Sequence, residues 1–421
     1  MVRLIYNLLW PFGLVVFLPG YLVKMFRRGG YREKFGQRVG LYDRVVRQRL
    51  AGQRFTWMHA VSVGEVVIAL KLARQLRNLE PDLACALTTT TTTAFAMARI
   101  SAPPWMEVIY MPLDFWPIMT RAFAVIRPVR IVLVEAEVWP NLVARARKSR
   151  VPVALVNARL SPRSESRFRR FRPFVGPMFR ELDFIAVPER EDVERWMALG
   201  VERTRIHHTG SIKYDPGDSS PGAKVPQQVF PVDAPVLFGG STHRGEEEAL
   251  ARSFVELRRS FPSLCLFIAP RHVERAREIR KRLQDVGLAV RLVSERTAGE
   301  SPDCVLLDKT GELQTWYSLA TVAFVGKSLT AHGGQNPVEP IVAGVPVIFG
   351  PHMENFSTLA RKLVEQKGAV EVADAASLER ALHALLADPA ARRTLVANAE
   401  QVLSEYRGAT ERTARLIAGL L

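Results

Sequence analysis

The sequence predicts an α/β protein built as two halves, each a parallel sheet covered by helices. Three observations predict it. Short β-rich apolar runs alternate with helical stretches, the pattern of a parallel sheet buried on both faces. The alternation stops in residues 216–235, "PGDSSPGAKVPQQVFPVDAP", which are rich in Pro and Gly and lack an apolar period, and then restarts. At 421 residues the chain is long for one core, so two domains are expected.

Residues 4–23, "LIYNLLWPFGLVVFLPGYLV", carry no charge and precede Lys24, Arg27, Arg28, Arg32 and Lys34. This reads as membrane-seeking sequence, with a buried helix of the soluble body as the alternative, and its basic flank would keep the main body on the cytoplasmic side. No small-residue cleavage site follows it, which argues against a signal peptide. Pro11, Gly13, Pro19 and Gly20 interrupt the helix, so spanning and dipping into one leaflet both stay open. The expected organisation is an anchor segment at 1–30, an α/β domain at 31–215, a linker at 216–235, a second α/β domain at 236–395 and a C-terminal helix at 396–421.

Strand candidates in the first half are 55–61, 83–88, 107–111, 130–135, 152–157 and 183–187. The second half offers 236–239, 264–269, 289–293, 304–307, 321–325 and 345–349. The threonine run at 88–93 reads as a strand end followed by a helix cap. Two such halves suggest a cleft between facing domains, with ligand contacts at the carboxyl ends of the strands.

Lys and Arg exceed Asp and Glu by 58 to 42, a net charge of +16 that predicts an anionic partner. Cys85, Cys265 and Cys304 each sit in an apolar run and form no CxxC pair; they read as small core residues in a reducing compartment. The eight histidines form no helical HxxxH pair, and His207 and His208 would point to opposite sides of a strand, so no protein-bound metal is expected.

Polar residues collect where the strands end. "SVGE" places Glu65 after the first strand, where it reads either as an acid in the first helical turn or as a functional carboxylate. "VEAEVWPN" brings Glu135, Glu137, Trp139 and Asn141; strand alternation lets only one of its two acids enter a cleft. "NARLSPRS" begins at Asn157, and Gly210, Ser211 and Lys213 precede the linker. In "GGSTHRGE" the glycines would let the backbone approach a ligand, with Ser241 or Thr242 capping the next helix. "APRH" places Arg271 against a helix N-terminus, unfavourable unless an anion lies between them. "GGQNPVEP" reads as an Asn336 cap with Pro337 in the first turn, and Glu339 is placed to accept hydrogen bonds from ribose hydroxyls. Seven arginines between Arg159 and Arg180, against Glu165 alone, suit lipid phosphates or form a solvated helix face.

"HAVSVGE", "EAEVWPNL", "NARLSPRS", "GSIKYD", "STHRGEE", "APRHVER", "GGQNPVEP" and "GVPVIFGP", in this order and spacing, resemble the 3-deoxy-D-manno-octulosonic acid (Kdo) transferases of lipopolysaccharide biosynthesis. The similarity covers essentially the whole chain. It implies a GT-B fold of two Rossmann-like domains and an inverting glycosyltransferase at the cytoplasmic face of the inner membrane, moving Kdo from CMP-Kdo to a lipid A precursor. It also implies Glu65 as general base, with Glu135 and Lys213 stabilising the transition state. The CMP contacts it implies are Pro270, Arg271, Thr310, Gly311, Glu312, Asn336, Pro337, Val338 and Glu339. The chain departs from the family pattern at Gln335, where histidine is commoner, and at Lys327, where glycine is commoner.

The chemistry agrees with that assignment. An acceptor hydroxyl needs a carboxylate to take its proton as the sugar carbon becomes cationic. The monophosphate leaving group calls for Lys213, Arg271 and helix N-termini. It presents no diphosphate to chelate, so no cofactor is expected. A different GT-B transferase using another nucleotide sugar on a lipid would share the fold and anchor, but gives no reason for the S-x-G-E and G-S-x-K pair. A dehydrogenase would need G-x-G-x-x-G after the first strand, which residues 61–67 lack. A basic nucleic-acid-binding protein leaves the polar strand ends unexplained, so no nucleic acid is expected.

Overall fold

Two parallel sheets organise the chain. The computed structural model describes residues 3–10, 12–13, 20, 34–135, 138–160, 162–216, 229–231, 233–295, 301–309 and 313–421. One compact unit comprises residues 1–215 and 407–421, the other residues 216–406.

In the first unit the strands are β1 (Phe55–Ala60), β2 (Cys85–Thr89), β3 (Met106–Tyr110), β4 (Pro128–Val134), β5 (Val153–Val156), β6 (Phe184–Val187) and β7 (Ile206–His208). They lie in the order β3-β2-β1-β4-β5-β6-β7, all parallel. Strand alternation feeds a separate core on each face: Trp57, Ile131 and Leu133 join one cluster, Met58, Val132 and Val134 the other. The six expected strands are present, each within a few residues of its expected limits. β7 was not among them.

The second unit holds β8 (Val236–Thr242), β9 (Cys265–Pro270), β10 (Val290–Leu292), β11 (Cys304–Leu306), β12 (Val322–Val325), β13 (Val347–Phe349) and β14 (Val370–Glu371). Their order is β10-β11-β9-β8-β12-β13-β14, again all parallel. The three cysteines are free and buried in strands of the two sheets. Thr91 caps the helix Thr92–Ser101, its hydroxyl accepting from the Ala94 amide at 3.2 Å.

The C-terminus departs from the expected single helix at 396–421. Pro389–Ser404 is one helix and Ala409–Ala418 another, broken at Gly408, whose φ of 77° suits glycine. The second helix packs on Val63–Leu79 of the first unit, adding Ala414 and Ile417 to the cluster around Val66, Ala69 and Leu70. Two polar ties hold it there. Asp215 accepts from the Gly408 and Thr410 amides at 3.2 and 2.8 Å and from the Thr410 hydroxyl at 2.6 Å. Fully buried Arg130 on β4 donates to the Ile417 carbonyl at 3.1 Å and to the Thr56 hydroxyl at 3.0 Å, and clasps both oxygens of Glu80.

Residues 3–10 are helical; Tyr6 donates to Asp114, the Asn7 and Asn141 side chains are 2.9 Å apart, and Trp10 stacks on Phe115. Among the described residues no helix is long and apolar enough to cross a membrane. Residues 1, 2, 11, 14–19 and 21–30 of the expected anchor segment lie outside them.

Candidate functional site

Each sheet has a topological switch point, where adjacent strands send their chains in opposite directions and leave room at their carboxyl ends. In the first sheet it lies between β1 and β4. Glu65 follows β1 and Glu135 follows β4, so both flank it.

Glu65 forms a capping box with Ser62 at the start of Val63–Leu79. Its carboxylate accepts from the Val61 amide at 2.8 Å and the Ser62 amide at 3.2 Å, while the Ser62 hydroxyl accepts from the Glu65 amide at 3.3 Å. The helix-start reading is thus physically realised. It leaves chemistry open, because each carboxylate oxygen has a second lone pair. Glu135 has a φ of 61°, a left-handed conformation costly for a non-glycine residue, and its amide donates to the Val156 carbonyl at 2.9 Å. Glu137 lies outside the described residues.

Lys213 follows the edge strand β7, yet its loop runs back across the strand ends. The Thr209 amide bonds Val187 at the end of β6 at 3.1 Å, and the Ile212 amide bonds the Asn157 side chain beyond β5 at 3.1 Å. Burial lowers the pKa of half-buried Lys213; Glu135 opposes that shift and Arg159 adds to it. A lysine from the edge and a glutamate from the centre therefore interact. Lys71, in the same helix as Glu65, fixes the loop from the other side by donating to the carbonyls of Ile212, at 3.3 Å, and Asp215. Sequence reasoning missed Lys71, although a lysine inside "VVIALKLA" was a visible signal.

The second sheet's switch point lies between β8 and β12. Here two readings of "GGSTHRGE" need correction. A Cβ on Gly239 would press 2.6 Å from Leu250, and one on Gly240 would collide with Tyr317, so these glycines serve core packing rather than ligand approach. The cap of Glu246–Leu257 is Gly245, not Ser241 or Thr242. Fully buried Glu246 accepts from four backbone amides: His243 and Lys327 at 2.8 Å, Ser328 at 2.9 Å and Leu329 at 3.0 Å. It ties the end of β8 to that of β12, a role sequence reasoning missed. Lys327 has a φ of 57°, a left-handed conformation that favours glycine.

Pro270 ends β9, and the Arg271 amide donates to the Thr242 carbonyl at 3.1 Å. The exposed Arg271 is separated from the helix Ala276–Asp285 by the 3₁₀ turn Val273–Arg275, so it stands clear of the helical end expected to oppose it. The Asn336 side chain accepts from the Val338 amide at 3.1 Å and donates to Glu339 at 3.0 Å. Pro337 precedes the short helix Val338–Val342. Burial raises the pKa of Glu339, opposed by the Asn336 hydrogen bond and the charge of Arg271. Arg271 and Glu339 thus share one electrostatic neighbourhood. Thr310, Gly311 and Glu312 lie outside the described residues.

Residues 33–216 match the family model described as 3-deoxy-D-manno-octulosonic-acid transferase. A 3-deoxy-D-manno-octulosonic acid transferase of Haemophilus influenzae is 33% identical over 92% of this chain and 91% of its own. One from Bordetella pertussis is 35% identical over 85% of each chain. Among solved structures, a UDP-GlcNAc 2-epimerase from Neisseria meningitidis matches 87% of this chain and 100% of its own, with TM-score 0.58 at 12% identity. The glycotransferase of kitacinnamycin covers 87% and 99%, with TM-score 0.52 at 16% identity. These likenesses carry the two-sheet GT-B fold, and the sequence relatives carry the family. With its motifs at the ends of two parallel sheets, the chain belongs to the 3-deoxy-D-manno-octulosonic acid transferase family of glycosyltransferases.

Proposed function

We propose that this Kdo glycosyltransferase takes the sugar from CMP-Kdo and transfers it to a phosphorylated lipid A precursor, with Glu65 as base and Glu135 and Lys213 stabilising the transition state. The observation that carries the assignment of roles is the convergence of Lys213 on Glu135 beside the β1–β4 switch point. A partly desolvated ammonium within electrostatic reach of a carboxylate is suited to charge that grows as the monophosphate leaves. Arg271, Asn336 and Glu339 are assigned to CMP, Arg271 to its phosphate and Glu339 to ribose hydroxyls. Pro270, Pro337, Val338 and residues 310–312 complete that proposed site.

Purified protein, CMP-Kdo and a tetra-acylated lipid A precursor, with products read by mass, test the proposal. Turnover with a UDP-sugar and none with CMP-Kdo would replace it with another lipid-directed GT-B transferase. Within that assay Lys213→Ala is expected to lower transfer by about 10²-fold with CMP affinity largely kept. Arg271→Ala is expected to weaken CMP binding itself by about tenfold or more. Equal effects on binding would remove the division of labour.

The proposal places the acceptor and the membrane at the first unit. Leu4, Leu8, Leu9, Phe12, Trp116, Phe171 and Phe174 are exposed there. Arg3, Trp116, Arg145, Lys148 and Phe174 line a cavity of about 740 Å³, which joins apolar surface to positive charge. The exposed Arg167, Arg169, Arg170 and Arg172 extend the basic surface. Full-length protein is expected to stay on anionic vesicles in high salt, whereas a chain lacking residues 1–26 should bind only at low salt. Release of the full-length protein by salt alone would leave attachment purely electrostatic.

A further inference from the structure

The loop after β12 and the segment after β13, both in the second unit, are tightly laced. The His352 amide donates to Ser328, the Asn355 amide to Gly333 and the Gly334 amide to Lys327, each at 2.9 Å. Gly333 and Gly334 have φ of 120° and 66°, and a Cβ on Gly333 would approach Asn355 Nδ2 to 2.8 Å. This lacing brings His332 of the first segment beside His352 and Glu354 of the second. His332 Nδ1 lies 2.9 Å and His352 Nδ1 3.6 Å from the same oxygen, Glu354 Oε1. The two imidazole centroids are 4.0 Å apart, and the Gly333 amide holds the other carboxylate oxygen at 2.6 Å.

We propose that His332, His352 and Glu354 bind a borderline divalent transition metal, with zinc as the best match, fastening the two segments together. One potential ligand atom from each residue lies within 4.8 Å of the others. Tetrahedral zinc holds nitrogen and oxygen at roughly 2.0–2.2 Å, which spaces ligand atoms about 3.3–3.5 Å apart. Two of the three separations, 2.9 and 3.6 Å, straddle that spacing and the third is within 4.8 Å, so completing the site requires side-chain rotations that draw the ligand atoms together. An ion pair would need only one imidazole. Here a second ring from another loop faces the same oxygen, and a cation can take a lone pair from all three groups. Two nitrogens and one oxygen select zinc-like metals over magnesium or calcium, which prefer all-oxygen shells. All three side chains are at least partly exposed, so a metal can enter from solvent and a water can fill the fourth position. The site's role is structural: it stiffens the loop leading into Asn336, and Glu65, Glu135 and Lys213 are not part of it.

The untagged full-length protein, stripped of metal, would be titrated with Zn²⁺ against a chromogenic indicator and with Co²⁺ by visible absorption. One equivalent should bind, with hydrogen exchange slowing in residues 328–336 and 350–356. His332→Ala and Glu354→Gln, both at exposed positions, should each weaken binding by at least about 10-fold, the lower range seen even for groups that only support a ligand. His243→Ala, which alters the other histidine pair of this unit, should bind as the wild type does. Absence of stoichiometric binding would overturn the proposal. So would wild-type affinity in both variants, or displacement of zinc by millimolar Mg²⁺.

Discussion

Glu65→Gln should leave the protein folded and able to bind CMP while transfer falls by about 10²–10⁴-fold, the range of a general base. The capping box makes this substitution informative. Glutamine serves at the third helical position as glutamate does, so one amide of Val61 or Ser62 keeps its acceptor. What glutamine cannot do is take a proton from an acceptor hydroxyl. Ser62→Ala supplies the converse: it removes the hydroxyl that accepts from the Glu65 amide, costing about 0.5–2 kcal/mol, while leaving the carboxylate in place. If Glu65 is the base, the two variants separate chemistry from stability. Near-normal turnover in Glu65→Gln at saturating CMP-Kdo and acceptor would reduce Glu65 to a helix cap.

Glu80→Ala should be among the most damaging changes to the first unit, costing about 3–5 kcal/mol. Arg130 is fully buried, and without Glu80 its guanidinium keeps bonds to Thr56 and Ile417 but loses its counter-charge. Glu80 is 27% exposed, so the reverse deletion allows the carboxylate to meet water. The asymmetry gives a sharper test. Glu80→Ala combined with Arg130→Met should be more stable than Glu80→Ala alone, because the unpaired buried charge is gone. Hydrogen exchange in the full-length protein provides the readout: β4 and Ala409–Ala418 should lose about 10²-fold or more of their protection in Glu80→Ala. A double variant less stable than Glu80→Ala would mean that Arg130 acts mainly through its bonds to Thr56 and Ile417.

Strands were legible wherever burial on both faces demanded an unbroken apolar run. β7 contains His207 and His208, and β14 is only Val370 and Glu371; both are short edge strands with little to bury, so they carry no such run. The site was legible as a set of strand ends, since polar groups there interrupt the apolar pattern. Its internal contacts were not. Lys213 comes within electrostatic reach of Glu135 because residues 209–215 fold back over the sheet on Asn157 and Lys71, a path that no local propensity encodes. "GEEEAL" reads as an acidic helix start, yet Glu246 is buried by amides some eighty residues away. In the same way Gly239 and Gly240 look like a ligand cradle until Leu250 and Tyr317 are seen to fill the space.

The helix Ala409–Ala418 has a consequence for biosynthesis. Because residues 407–421 belong with residues 1–215, the unit that leaves the ribosome first is the last to be finished. While the intervening 191 residues are being made, the nascent first unit lacks Ala414 and Ile417 against Val66 and Ala69, and Asp215 lacks the partners at Gly408 and Thr410 that later secure it. The apolar side chains of Val63–Leu79 that Ala414 and Ile417 cover are then without that cover. The second unit has its whole sequence by Tyr406. Ribosomal stalling or a premature stop codon ahead of Ala409–Ala418 would therefore damage the unit built on residues 1–215, whose own codons had been read faithfully long before.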